Sequence, residues 1–533
     1  YTSNFFLHKF DEFSEYGIVS KLIFSEEKVT NNIFNIFAKG SSHKINIMGY
    51  LNYFFLKISF LEFKEQILFI SQNFLNIVII RNLLDFISGY KKKTLFFIII
   101  FFLSFVLSTG FDKIYLDTTA ALLISLIIAT QFQDKNKFKY LVIFLSMIFL
   151  FCLKTSTKII FIGISSIFIF YFLFEKNYKL IGYYLVLILS TFAIEKFYSH
   201  NFQLNKINKN LSIKNIYLSN SSNALDYNNN INIIKNIKID NFFSQTNYLF
   251  LKKNFIDLTK KGIYHSSTFL IFNKIFQTLS INLKLIEIPL TIFFWILLLI
   301  ILTKILNIEN KSRLIFFVNI YILFIFFYWL IILYWSLTNN LVNEDFSIEA
   351  SWQRHLGVII LGILFYLTIV LFQKNDIGPK YILIILIFLS AVSKPNSIRN
   401  FFPKEFVMKD PFWSKRYMQR TEVKKISNFV NKNTEKYSVV FLYSINEDVY
   451  FFPILNYELI DKSLVNTNFK FWKKFYNNYI IKFPFLKDLE NLFILSNQSD
   501  NQKILDFISS NSYEIISKKD FKNRYSIYKI NLK

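Results

Sequence analysis

Residues 94–108 read TLFFIIIFFLSFVLS, with no charged side chain and no alternation between polar and apolar positions. A helix crossing a hydrocarbon core about 30 Å thick needs roughly 20 mostly apolar residues, whereas a barrel strand shows about ten residues of alternating character. The stretch therefore reads as a membrane helix. Comparable runs recur near 62–80, 118–132, 140–153, 159–174, 180–198, 285–303, 314–337, 355–372 and 381–393, read against charged interruptions. The fold class expected is an all-α polytopic membrane protein of about ten to eleven spans. The runs at 140–153 and 381–393 are short, so tilted or partly re-entrant helices are expected there.

Composition agrees with this. Hydrophobic residues make up 53% of the 533 positions, with 67 Phe and 31 Tyr against 11 Gly and 7 Pro, a balance poorly suited to a soluble globular domain. The formal charge of +25 would point to nucleic acid in a soluble chain. In a Lys-, Asn-, Ile- and Phe-rich sequence of this kind the bias follows A/T-rich codons, and no nucleic-acid partner is expected. Cys152 is the sole cysteine and lies in an apolar run, which excludes intrachain disulfides and thiolate metal clusters. The sequence opens at Tyr1 without a signal-peptide pattern, so a further membrane helix is expected ahead of it.

Lysine and arginine in the short loops assign the two faces. Arg81, Lys91, Lys92 and Lys93, then Lys135, Lys137 and Lys139, Lys176 and Lys179, Lys304, Lys311 and Arg313, and Lys374 and Lys380 all fall on one face, read as cytoplasmic. The other face receives a first segment with an acidic motif (1–61), the loops at 110–117, 154–158 and 338–354, and a long Asn-rich loop (199–284). It also receives everything from 394 to 533. Membrane helices occupy 62–198 and 285–393. After Pro403 hydropathy falls, and β-like runs at 437–443, 492–496, 513–516 and 525–530 with a helix-like run at 500–509 read as a small α/β domain.

Chemistry-bearing residues gather on that second face. Asp11-Glu12-Phe13-Ser14-Glu15-Tyr16-Gly17 opens the first segment. On a helix Asp11 and Glu12 would point about 100° apart, so one atom would face only one of them. Asp117 stands at the entry of a span, where a carboxylate is costly unless it caps the helix or acts on a ligand. Lys154 and Lys158 flank Thr155-Ser156-Thr157 between two spans, suited either to snorkelling or to holding a phosphate. Arg354 and His355 open a late span, where Arg354 offers a fork for phosphate oxygens or an interfacial anchor. The five histidines are scattered and no Walker loop, G-x-S-x-G or H-E-x-x-H occurs, so no metal site and no cofactor is expected.

Taken together, Asp11-Glu12-Phe13-Ser14-Glu15-Tyr16-Gly17, Ile114-Tyr115-Leu116-Asp117, Leu153-Lys154-Thr155-Ser156 and Arg354 resemble the GT-C superfamily of integral-membrane glycosyltransferases. The nearer likeness is to bacterial multispanning proteins with a D-E-F-S-x-W-G first loop. Tyr16 stands where that pattern has Trp, and His355 where it more usually has Tyr. The resemblance implies transfer of a sugar from a polyprenyl-phosphate-linked donor to a glycan, lipid or protein acceptor at the periplasmic face of a bacterial inner membrane. It implies Asp11 as base, Glu12 and Asp117 as supporting carboxylates, and Lys154, Arg354 and His355 as substrate-binding residues. A membrane polysaccharide polymerase or ligase would instead lean on 199–284, Arg354 and His355. A transporter would place its ionisable residues nearer mid-membrane than these span ends.

Overall fold

A computed structural model describes residues 17, 20–21, 24, 47–59, 63–107, 116–133, 138–202, 292–305, 311–343, 352–373, 411–434, 439–444, 451–459, 463–467, 492–497, 501–510, 514–521 and 525–531. The chain is mostly helical. Through the apolar region run α1 (Ile47–Ile58), α2 (Glu65–Leu84), α3 (Tyr90–Leu107), α4 (Asp117–Gln133), α5 (Lys139–Leu153), α6 (Thr155–Phe174) and α7 (Tyr178–Phe202). They are followed by α8 (Ile292–Ile305), α9 (Lys311–Asn343) and α10 (Trp352–Gln373). Among the described residues, Glu65–Leu84, Thr157–Phe174, Lys311–Ile331 and His355–Gln373 are long and apolar enough to cross a membrane. The chain is an integral membrane protein. The run expected at 381–393, residues 203–284 of the expected loop, and Asp11 and Glu12 lie outside the described residues, while 199–202 continue helix α7.

Helix α2 displays the inside-out logic of a membrane bundle. Ile70, Phe74, Ile77 and Val78 are exposed, while Ser71, Gln72 and Asn76 are buried. Lipid tails accept the apolar side chains, and the polar ones find hydrogen bonds only toward other helices. Helix α10 takes the central place, buried from His355 to Phe372.

Helices α4 and α10 pack closely and in parallel. A Cβ placed on Gly362 would lie 2.6 Å from Ile124 Cγ2 and 3.4 Å from the Ala121 carbonyl, so only glycine permits this approach. At the far end Gln373 Nε2 donates to Gln133 Oε1 at 2.7 Å, across 240 residues of sequence. Both contacts obey one register. The Gln373 amide also reaches the Phe86 carbonyl, drawing in the end of α2 next to the lysine-rich turn. Tyrosines tie other helices together: Tyr184 hydroxyl donates to Gln131 Oε1 at 3.0 Å and Tyr321 hydroxyl to the Ile359 carbonyl at 2.8 Å.

The C-terminal part contains α11 (Pro411–Lys432), β1 (Val439–Ser444), α12 (Phe451–Glu458), β2 (Ser463–Thr467), β3 (Leu492–Asn497), α13 (Asn501–Ser510), β4 (Glu514–Phe521) and β5 (Tyr525–Asn531). The sheet order is β2-β1-β3-β5-β4, with β1 parallel to β2 and β3, and β5 antiparallel to β3 and β4. Val423, Ile426 and Val430 supply a buried stripe of α11 at helical spacing.

Candidate active site

Two of the residues singled out in the sequence meet directly. Helix α5 ends at Leu153, Lys154 adopts an extended backbone, and α6 starts at Thr155. Thr157 fixes this break: its Oγ1 accepts the Lys154 backbone N–H at 3.1 Å and donates to the Lys154 carbonyl at 2.7 Å. The turn carries the Lys154 side chain to Asp117, the first residue of α4, where the ammonium pairs with the carboxylate. Asp117 is 0% exposed and Lys154 12%. At such burial removing one member takes a charge partner from the other in a low dielectric.

His355 lies near the same level. It precedes Gly362 by two helical turns and so shares the face of α10 that packs on α4. The shared register of the two helices puts His355 within about one turn of Asp117 along the bundle axis. His355 is itself buried. Arg354 is the residue before it on α10, and its side chain is not among those described. The amino ends of α4, α6 and α10 therefore come to one region, each bringing the positive end of a helix dipole. Such an arrangement favours an anion.

Two residues further along α4, on another side of that helix, is a polar contact not anticipated from sequence. Thr119 Oγ1 donates to Asn76 Oδ1 at 2.8 Å, joining the start of α4 to the middle of α2. Glu65 lies eleven residues earlier on α2, so the Asp117 layer sits about 16 Å further along that helix.

A second charged cluster marks that outer end of α2. Arg420 of α11, 7% exposed, donates through both terminal nitrogens to the Glu65 carboxylate, one bond measuring 2.6 Å, and lies 3.4 Å from Glu458. Lys21 joins from the first segment, donating to the Tyr457 carbonyl at 2.8 Å and standing 3.7 Å from Glu458. Burial pushes the Tyr457 phenol well above its usual range, the nearby Arg420 working against that shift. The first segment is held again where Asn52 Nδ2 donates to Ser20 Oγ at 2.8 Å while its Oδ1 accepts from Ser71. Asp11 and Glu12 precede these anchors by about ten residues and lie outside the described residues. Lys158, the other lysine of the α5–α6 junction, stands over the Phe151 ring at 4.9 Å.

No group of three or more His, Cys, Asp or Glu suited to a metal ion occurs among the described residues. Neither a family model nor a curated protein matches the sequence. Among solved structures, the chain is similar to the crystal structure of ArnT from Cupriavidus metallidurans bound to undecaprenyl phosphate. The TM-score is 0.47 at 8% identity, over 98% of this chain and 93% of that one. The undecaprenyl phosphate belongs to that structure.

Proposed function

We propose that the protein is a GT-C-type membrane glycosyltransferase that moves a sugar from a polyprenyl-phosphate-linked donor to an acceptor hydroxyl at the periplasmic face. The observation that carries this reading is the buried Asp117–Lys154 pair at converging helix amino ends. A lipid-linked phosphate brings its negative charge to the membrane boundary, and a cation seated below that boundary meets it where water is scarce. The sequence resemblance supplies the reaction type.

In this reading the acceptor oxygen bonds to the anomeric carbon as the bond from that carbon to the phosphate oxygen breaks. The acceptor proton passes to a carboxylate, assigned to Asp11, with Glu12 in support. Charge developing on the departing polyprenyl phosphate is balanced by Lys154 and Arg354, with His355 at the same level. Asp117 positions Lys154 by pairing with its ammonium.

The test is sugar transfer from a polyprenyl-phosphate donor in liposomes. Lys154→Gln should weaken donor binding by about 1.5–3 kcal/mol, the worth of a charge-assisted hydrogen bond. Asp11→Asn should lower turnover by about 10²–10⁴ while donor binding stays nearly constant. Unchanged turnover in both variants would refute the assignment.

A further inference from the structure

The end of the bundle away from the Asp117–Lys154 pair is drawn together by contacts between helix ends. Gln373, closing α10, bonds to Gln133 of α4 and to the Phe86 carbonyl just past α2. Phe132 of α4 meets Phe317 of α9 edge to face, with ring centroids 4.8 Å apart. Near the start of α7 the Tyr183 hydroxyl donates to the Tyr140 carbonyl at the start of α5, at 2.6 Å. Arg313 of α9 pairs with Glu175, just past α6, at 3.2 Å. Helices α3, α5, α7 and α9 therefore all open at this end, and none has an acidic residue in its first turn. Their first turns instead carry Lys91 and Lys93, then Lys139, then Lys179, then Lys311 with Arg313.

A cation in that position faces the positive end of its own helix dipole, which is unfavourable unless an anion stands close by. Helices α2 and α4, which open at the opposite end, begin with Glu65 and Asp117. At the lysine-rich end the two described acidic residues, Asp85 and Glu175, are each engaged by an arginine, Arg81 and Arg313. Lys91, Lys93, Lys139, Lys176, Lys179 and Lys311 form no ion pair among the described residues. Tyr90, Phe138 and Tyr178 are exposed beside them, as aromatic side chains are at a membrane–water boundary, and Lys139 stands over the Tyr140 ring at 5.1 Å. The cations thus form a rim at the level of lipid headgroups, and the chain supplies too few anions to balance it.

We propose that this rim binds the headgroups of anionic phospholipids. Single cations spread over four helix ends match separate headgroups, each bringing one phosphate, better than they match one soluble polyanion. Lysine suits the task, since its long stem lies along apolar surface while the ammonium reaches the phosphate layer. Bound phosphates would relieve the repulsion between lysines and helix dipoles and hold the bundle at a fixed depth. The rim lies at the other end of α4 from Lys154, so its occupancy is independent of the donor site.

The experiment places the full chain in phosphatidylcholine membranes and uses electron paramagnetic resonance. It compares retention of spin-labelled phosphatidylglycerol at the protein with that of spin-labelled phosphatidylcholine. The anionic lipid should be preferred, and the preference should shrink as salt rises. Lys91→Gln with Lys93→Gln, and Lys139→Gln with Lys179→Gln, should each remove about half of the preference, and the four together nearly all of it. Lys424→Gln with Lys425→Gln, on the exposed side of α11, should leave it unchanged. Equal retention of the two lipids by the unsubstituted protein would overturn the proposal, as would full preference in the fourfold variant. Inorganic phosphate should displace the anionic lipid no better than chloride at equal ionic strength. Displacement specific to phosphate would reveal a soluble-anion site in place of a lipid surface and would also overturn it.

Discussion

Arg420 holds Glu65 through two guanidinium nitrogens, a bond between residues 355 apart in sequence that fastens α11 to the start of α2. Both side chains are largely buried, so the pair cannot be opened cheaply. Arg420→Met should destabilise the attachment of the C-terminal part by about 3–5 kcal/mol, because the buried Glu65 carboxylate loses its two-pronged cation. Limited proteolysis in detergent should then release fragments that the unsubstituted protein withholds. Arg420→Lys should rescue poorly, since an ammonium cannot make the two-pronged contact. The exchange Glu65→Arg with Arg420→Glu should restore much of the resistance.

For Asp117 and Lys154 the same physics separates stability from activity. Asp117→Asn or Lys154→Met alone should lower the thermal midpoint in detergent, as each takes a charge partner from a buried group. The double variant Asp117→Leu/Lys154→Met should recover the midpoint or exceed it, because apolar replacements of a buried ion pair often gain about 1–4 kcal/mol. It should still fail to bind polyprenyl phosphate. Recovery of both properties would mean that the pair serves packing alone.

Sidedness can be read by chemical labelling. Arg420 meets α2 at Glu65, at the opposite end of that helix from Arg81. Given also the loop charges that assign 199–284 to that face, single cysteines at Ser221 and Ser509 in a Cys152→Ser background should react with an impermeant maleimide from one face. A cysteine replacing Lys92 should react from the other. Labelling of the Ser221 and Ser509 positions from opposite faces would contradict the assigned topology.

The hairpin of β4 and β5 should respond to acid. The Ser526 hydroxyl, donating at 2.5 Å, and then the Lys518 ammonium hold the Asp520 carboxyl below its usual range. A depressed carboxyl stabilises the fold above its unfolded-state value, and the contribution is lost as pH falls through the folded-state value. The protection factors of β4 and β5 amides, exchange rates corrected for their intrinsic pH dependence, should fall over that window in the unsubstituted protein. Asp520→Asn should remove that fall in protection.

Helix placement is legible where charge interrupts apolarity. Lys139 and Lys154 bracket α5 in the sequence as they do in space, and Lys311 opens α9. Helix α1 is hidden in the linear sequence because Asn52 and Lys57 make a short segment look like loop, although Asn52 in fact faces inward to Ser20 and Ser71. Strand β2, SLVNT, is brief and polar and owes its form to pairing with β1. Asp117 and Lys154 each stand out alone. Nothing in a linear reading joins residues 37 apart, since that pairing depends on how the α5–α6 break is turned. Asn76 is inconspicuous in an Asn-rich chain, yet the spacing of Glu65, Gln72 and Asn76 along one side of an apolar helix is a signal that sequence carries.

Because α10 is enclosed along nearly its whole length yet is synthesised after α1 through α9, its burial sets an order of biogenesis. It is apolar enough to enter lipid first as an independent segment and only later to exchange lipid for helix contacts. The earlier helices must leave its berth open until the stretch from Trp352 to Gln373 has left the ribosome. Asp117, whose helix lines that berth, thus waits in a partly assembled bundle for the wall that completes its surroundings.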